Sequence, residues 1–184
     1  MLEEGADWVP YLAGAAGQAG YDDVISPATQ SPLESGDVLM LDTGAVWDGY
    51  FCDFDRNFAL GTASDLVRSS HRRLIDAIEA GMSIAKPGAM MCDLYAAMSK
   101  VVAADSDAIA DAGRLGHGLG MQLTEWPSII PTDRTVLKAG MVLTLEPSIE
   151  TCAGRIMVHE ENIAITPEGA VFLNTPASRT LEEL

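Results

Sequence analysis

The chain has 184 residues, 48% of them hydrophobic, enough material for one well-buried core. Lys and Arg number 11 against 27 Asp and Glu, and the resulting charge of −16 repels phosphate backbones and anionic membrane surfaces, so neither nucleic acid nor a membrane is expected as a partner. No apolar stretch reaches the ~20 residues of a membrane span, acids (Glu3, Glu4, Asp7) stand where a secretory leader would be basic, and Cys52, Cys92 and Cys152 form an odd set without CxxC spacing; one domain over residues 1–184 in the reducing cytoplasm is the expectation.

Residues 1–35 read as glycine- and alanine-rich loops, with short apolar pieces at 8–12 and 24–25 and a Ser26-Pro27 break. From Gly36 the pattern sharpens. The apolar run Val38, Leu39, Met40, Leu41, the turn signal Asp48-Gly49 and the aromatic segment Tyr50, Phe51, Cys52 predict a β-hairpin. Ser64 can cap a helix whose apolar positions Leu66, Leu74, Ile75, Ala77, Ile78 and Met82 recur at helical spacing until Pro87-Gly88 stops it, and a second helix is expected over 90–104. Residues 111–121 hold Gly113, Gly116, Gly118 and Gly120 around His117, so the backbone there can make close approaches denied to larger residues. Further strands are expected at 142–145, 156–158 and 163–165, with Ala153-Gly154 turning between them, and 171–184 reads as an edge strand and a tail.

An internal repeat lies across this pattern. Segment 36–42 (GDVLMLD) superimposes on 140–146 (GMVLTLE), each an apolar run that opens on glycine and ends in an acid, Asp42 in one and Glu146 in the other. Each run is followed by a turn and a second strand bearing another acid, read as Asp53 in the first unit and Glu160 in the second.

The acids of the first unit point to metal. With Asp48-Gly49 as a two-residue loop, Trp47 faces Tyr50, Gly44 faces Asp53, and Asp42 lies one diagonal away on the same face, roughly 7–8 Å at Cα. Two carboxylates so placed would repel unless they share cations, which in a dinuclear site sit about 3.5–4 Å apart. No Lys lies between Asp37 and Ala63, so Arg56 is the local cation. Carboxylates with one imidazole suit Mn, Fe, Co or Zn alike. Spacing does not choose among His71, His117 and His159 for the imidazole.

These residues resemble the pita-bread metallohydrolases, the family of methionine aminopeptidases, Xaa-Pro aminopeptidases, prolidases and creatinase. GDVLMLDTGAVWDGYFCDFDRNFALG resembles the family's first hairpin with its two ligand aspartates, GHGLGM its histidine segment, VLTLEP its first glutamate segment and HEENIAIT its last ligand strand. The likeness covers residues 36–173. It implies an α+β pita-bread fold with a pseudo-twofold repeat, and two divalent ions (Mn, Co, Zn or Fe) on Asp42, Asp53, His117, Glu146 and Glu160. Asp53 and Glu160 would bridge both ions, Asp42 would bind one, and His117 with Glu146 would complete the other. Glu146 and His117 are the implied catalytic residues, Glu146 moving the proton of a bridging water, and the implied substrate is a small peptide or amino-acid-derived molecule cut at an amide bond, Xaa-Pro peptides first.

The chain departs from the family at four places. The family's histidine before the first hairpin is missing, and Thr124 stands where its second accessory histidine would be, which raises a non-peptide C–N bond as the alternative; GMQLTEWPS is similar to ectoine hydrolase-like members. Asp55 occupies a position where threonine is commoner; pairing with Arg56 is the expectation for it, and contact with the metal site is the alternative. The usual N-terminal helices are lacking, which favours a homodimer that covers the exposed face. A pita-bread domain that has lost catalysis and serves as a binding module is the reading from a different class, against which all five ligands are present.

Overall fold

A computed structural model describes residues 1–103 and 113–184. After a short 3-10 turn at Leu2–Glu4 come β1 (Leu12–Gln18), β2 (Asp37–Thr43), the small hairpin of β3 (Val46–Trp47) and β4 (Tyr50–Phe51), and β5 (Phe54–Ala59). Helices α1 (Asp65–Ile84) and α2 (Met91–Val102) follow. The second half consists of β6 (Gly116–Gly118), β7 (Glu125–Ser128), β8 (Val142–Leu145), β9 (Ser148–Cys152), β10 (Arg155–Val158), β11 (Glu161–Thr166), β12 (Gly169–Phe172) and β13 (Glu182–Glu183). The two principal sheets run β1-β2-β5-β13 and β12-β11-β8-β6-β7, with β9 and β10 as a separate hairpin. Among the described residues no helix is long and apolar enough to cross a membrane.

Most local expectations hold. The Ser64 hydroxyl accepts from the Val67 amide at 3.3 Å and opens α1, which is capped at Ala85 ahead of Pro87. Trp47 faces Tyr50 and Asp42 faces Asp55 in one register, as the Asp48-Gly49 loop requires. The expected end of the second helix at Ala104 and the start of the glycine-rich stretch at Asp111 fall outside the described residues.

Strands β1, β6, β7 and β9 are not among those expected from the sequence, and β1 and β9 show why. Segment 12–18, read as loop, pairs along its whole length with β2, from Leu12↔Thr43 to Gln18↔Asp37. Its Ala-Gly-Ala-Ala-Gly composition carries neither alternation nor β-branched side chains, so nothing local specifies a strand; the ladder offered by β2 does. Strand β9, rich in polar residues, escapes the same pattern search and is held by its hairpin with β10.

The repeat is present in the backbone. Gly36 and Gly140 both adopt φ of 93°; Gly36 N–H donates to the Leu60 carbonyl at 2.7 Å, and Gly140 N–H to the Ile165 carbonyl at 2.8 Å. Ladder pairs Val38↔Ala59 and Met40↔Asn57 in the first half match Val142↔Ala164 and Thr144↔Asn162 in the second. Carrying the second ladder one step past Leu145↔Glu161 sets Glu160 across from Glu146, the counterpart of Asp55 across from Asp42. The partner of Glu160 under the repeat is therefore Asp55, and Asp53, which the sequence reading aligned with Glu160, corresponds to Val158. The asparagines cross over accordingly: Asn57 Nδ2 donates to the Val158 carbonyl at 2.5 Å, and Asn162 receives the Asp53 N–H at 3.1 Å while donating to the Asp53 carbonyl.

Helix α1 serves both halves. Leu74 and Ala77 pack with Val38, Met40, Met157 and Val158, while Ile78 packs with Met98, Leu143, Leu145 and Ile163. Strand β6 is drawn hard against β8, and Gly116 makes this approach attainable: its φ is 137°, and a Cβ there would lie 2.2 Å from the Thr144 carbonyl oxygen.

A buried clamp closes the C-terminal segment over the second half. Glu161, 1% exposed, accepts from Arg56 Nη2 at 3.0 Å, His159 Nε2 at 3.0 Å, the Ala177 amide at 2.8 Å and the Asn174 side chain. Burial pushes its pKa up, but these donors together outweigh burial and hold it at about 2. A depressed folded-state value contributes stability that is complete above the ordinary glutamate pKa of about 4.3 and is lost as pH falls toward the folded value. Urea titrations of Glu161→Gln should accordingly give a loss of roughly 2–4 kcal/mol at pH 7 and a shallower decline below pH ~4.3 than in the unmodified chain.

Candidate metal centre

Asp42 stands at the end of β2, Asp53 just ahead of β5, His117 in β6, Glu146 just past β8 and Glu160 just before β11. All five line one cavity of about 290 Å³. The two halves thus deliver their acids to a common point. The inward face of β2 and β5 is apolar at one end (Val38, Met40, Ala59) and acidic at the other (Asp42, Asp55, with Asp53 beyond).

One ligand atom each from Asp53, His117 and Glu160 lies within 4.8 Å of the others, all three residues being buried. His117 Nε2 is 3.5 Å from Asp53 Oδ2 and 3.8 Å from Glu146 Oε2. Its other ring nitrogen, Nδ1, is 2.9 Å from the Gly118 carbonyl. A carbonyl can only accept, so Nδ1 carries the proton and the Nε2 lone pair faces the carboxylates, the arrangement of a metal-ligating histidine. Burial lowers the His117 pKa, which keeps the ring neutral as a ligand must be.

The carboxylates are under strain of charge. Burial, then the charge of Asp53, pushes Asp42 up to about 6, and burial pushes Glu146 to about 7 despite the opposing pull of Arg114. Glu160, buried among Glu146, Asp53, Asp55 and Asp42, lies well above the glutamate range, and Asp53 is raised by burial against the pull of Tyr11 and His117. Asp42 Oδ1, Glu146 Oε2 and Glu160 Oε2 are buried with no hydrogen-bond partner. Acceptor oxygens cost free energy when left bare in this way, and divalent cations are the groups that would both satisfy them and reverse the repulsion. The donor set of carboxylates with one neutral imidazole fits such ions.

The competing histidines lie elsewhere. His71 Nε2 donates to the Ser178 carbonyl at 2.9 Å, His159 donates to Glu161, and the two rings meet edge to face at 5.8 Å. Glu160 faces the cluster while Glu161 belongs to the clamp. The expectation for Asp55 is overturned: Arg56 turns its guanidinium to Glu161 and to the Glu160 carbonyl, leaving the Asp55 carboxylate buried and facing inward. Strand alternation is the reason, since Asp55 shares the inward face with Asp53 and Asn57, and Arg56 takes the opposite one.

Three further residues belong to this site. The Tyr11 hydroxyl donates to Asp53, and burial with the nearby acids raises its pKa. Arg114, whose Nε is 3.8 Å from Glu146 Oε2, is the one cationic side chain on the cavity wall among the described residues. Asn162 fixes both backbone groups of Asp53. Tyr11 was hidden by the silence of β1, which positions it; Arg114, two residues before the Gly116-His117 pair, was the more legible signal.

Comparison with known proteins agrees with this geometry. Residues 3–167 match the model of metallopeptidase family M24. An Xaa-Pro dipeptidase of Pyrococcus furiosus is 31% identical over 144 residues, 78% of this chain and 41% of that protein. The crystal structure of the prolidase from Pyrococcus horikoshii OT3 superposes with a TM-score of 0.89 at 26% identity, covering 98% of this chain and 52% of that one. An X-Pro aminopeptidase from Thermotoga maritima MSB8 gives 0.85 at 26%, covering 100% and 51%. The chain therefore spans about half the length of these relatives. With the fold, the order of the acids and the neutral histidine all in agreement with that match, this chain belongs to metallopeptidase family M24.

Proposed function

We propose that the cavity holds two divalent cations on Asp42, Asp53, His117, Glu146 and Glu160, and that the chain hydrolyses the amide bond of a small peptide, with Xaa-Pro dipeptides as the first substrates to try. The observation that carries this reading is His117: its Nε2 lone pair is aimed at Asp53 and Glu160, with bare buried carboxylate oxygens around it. When bound, such ions lower the pKa of a coordinated water toward neutrality and polarise the scissile carbonyl.

The chain's own groups supply the rest. Glu146 is the proton carrier: its carboxyl stands beside His117 and keeps part of its surface open to the cavity, so it can take a proton from the attacking water and return it to the leaving amine. Asp53 and Glu160 hold position, the first fixed by Tyr11 and Asn162, the second almost wholly enclosed. Arg114 offers a guanidinium to the free carboxylate of a short peptide once Glu146 is engaged. A second reading, hydrolysis of a non-peptide C–N bond as in a cyclic amidine, is favoured by Thr124 and Leu123, which line the cavity where an imidazole would otherwise assist a peptide substrate.

The deciding experiment reconstitutes the purified chain with manganese or cobalt, counts bound metal, and follows hydrolysis of Xaa-Pro dipeptides and of ectoine in the same samples. Two metals per chain, lost in Asp53→Ala together with dipeptide turnover, are expected. Turnover of ectoine alone would move the assignment to the second reading, and absence of metal from the unmodified chain would overturn both. For Glu146→Gln, steady-state kinetics on whichever substrate is turned over should give a kcat lower by about 10²- to 10⁴-fold.

A further inference from the structure

The acids of the site do not end with the five proposed ligands. Asp55 is 2% exposed, and the hydrogen bond its side chain receives is a long one of 3.4 Å from Asn57 Nδ2. Arg56, the adjacent cation, is committed to Glu161. Across the β2–β5 ladder Asp55 sits directly opposite Asp42, which places their Cβ atoms about 4.5–5.5 Å apart. It also occupies, in the first half, the ladder position that Glu160 occupies in the second. Glu160 itself is 4% exposed and presents an unpartnered Oε2 to the cluster.

Apart from that long bond from Asn57, no hydrogen bond among the described residues calls for a carboxylate at this position. An apolar residue would suit an inward-facing strand site beside Met40 and Ala59 better, since a buried carboxyl set against Asp42 costs the metal-free protein free energy whether it stays charged or takes up a proton. A bound cation reverses that sign, because the same charge then attracts what the site holds. Aspartate is one methylene shorter than glutamate, which keeps Asp55 off the cavity wall that Glu160 reaches.

We propose that Asp55 is an outer carboxylate of the metal centre, the first-half counterpart of Glu160, which tightens the hold on divalent cations by acting through Asp42 and Asp53 and not by ligation. Asp55 is thus a positioning residue. The inference rests on the dinuclear reading of the cavity. It predicts opposite effects on the empty and loaded protein, a pattern that a purely structural side chain does not produce.

The test uses the purified chain stripped of metal, with Asp55→Asn and Asp55→Thr, at one fixed pH near 8. Manganese chloride is titrated calorimetrically, and thermal unfolding is recorded with and without the ion. Both variants should bind manganese about 10- to 100-fold more weakly, the metal-free variants should unfold at or above the temperature of the unmodified chain, and the rise in Tm on adding manganese should shrink. Manganese affinity within twofold of the unmodified chain in both variants would overturn the proposal. So would weaker binding accompanied by a lower metal-free Tm in both, which would make Asp55 a structural residue. If the unmodified chain takes up no manganese, the dinuclear reading is what fails, an outcome separate from either of these.

Discussion

The organising constraint of this molecule is the concentration of carboxylates in a half-buried cavity with Arg114 as the one cation on its wall among the described residues. Every acid of the cluster is displaced toward its neutral form by burial, and neighbouring acids add to the shift at Asp42, Asp55 and Glu160. A fold does not accumulate such groups for stability, since each bare oxygen costs free energy that the apolar clusters on either side of α1 must offset. The arrangement becomes favourable when positive charge enters the cavity. That dependence explains why so much of the remaining structure, from the crossed asparagines to the Glu161 clamp, holds these acids in place.

Much of this was legible in the sequence because the informative residues obey local rules. Asp48-Gly49 fixed the hairpin register, and with it the diagonal relation of Asp42 and Asp53, since a two-residue loop leaves no freedom in pairing. Ser64 and Pro87 bounded α1 for reasons of hydrogen bonding and ring geometry. What the sequence hid was whatever depends on a partner strand. β1 has no pattern of its own, so Tyr11, carried to Asp53 by that strand, could not be found. The resemblance selected His117 from three histidines; the structure adds the physical reason, the Gly118 carbonyl that directs the free lone pair inward.

The repeat shows a subtler failure of sequence reasoning. Segments 36–42 and 140–146 are alike residue by residue, but the second strand of each unit follows after a different number of residues, so order along the chain pairs the wrong acids. Ladder register corrects this. Asp55 pairs with Glu160 and Asp53 with Val158, and the crossed bonds Asn57 to Val158 and Asn162 to Asp53 are then the same interaction made twice. The two halves are locked by side chains that reach across to each other's backbone, and in only one of the two does that backbone position carry an acid. The symmetry of the scaffold is thus broken where the chemistry is placed.

Differences in burial divide the labour among the proposed ligands. Glu160 is 4% exposed and meets the cavity through little more than its carboxylate, which suits it to hold charge in a fixed place. The Glu146 side chain keeps 26% of its surface exposed, with Arg114 beside it. In the proposed reaction, a group that accepts a proton and returns it within each turnover needs this access to both water and substrate. Arg114 then has two states available, partner to the Glu146 carboxylate in the empty cavity and partner to an incoming anion in the filled one. Under the proposed function, substrate binding and the readiness of Glu146 to take a proton would be linked through a single arginine, because guanidinium and carboxylate exchange partners at small cost near the surface.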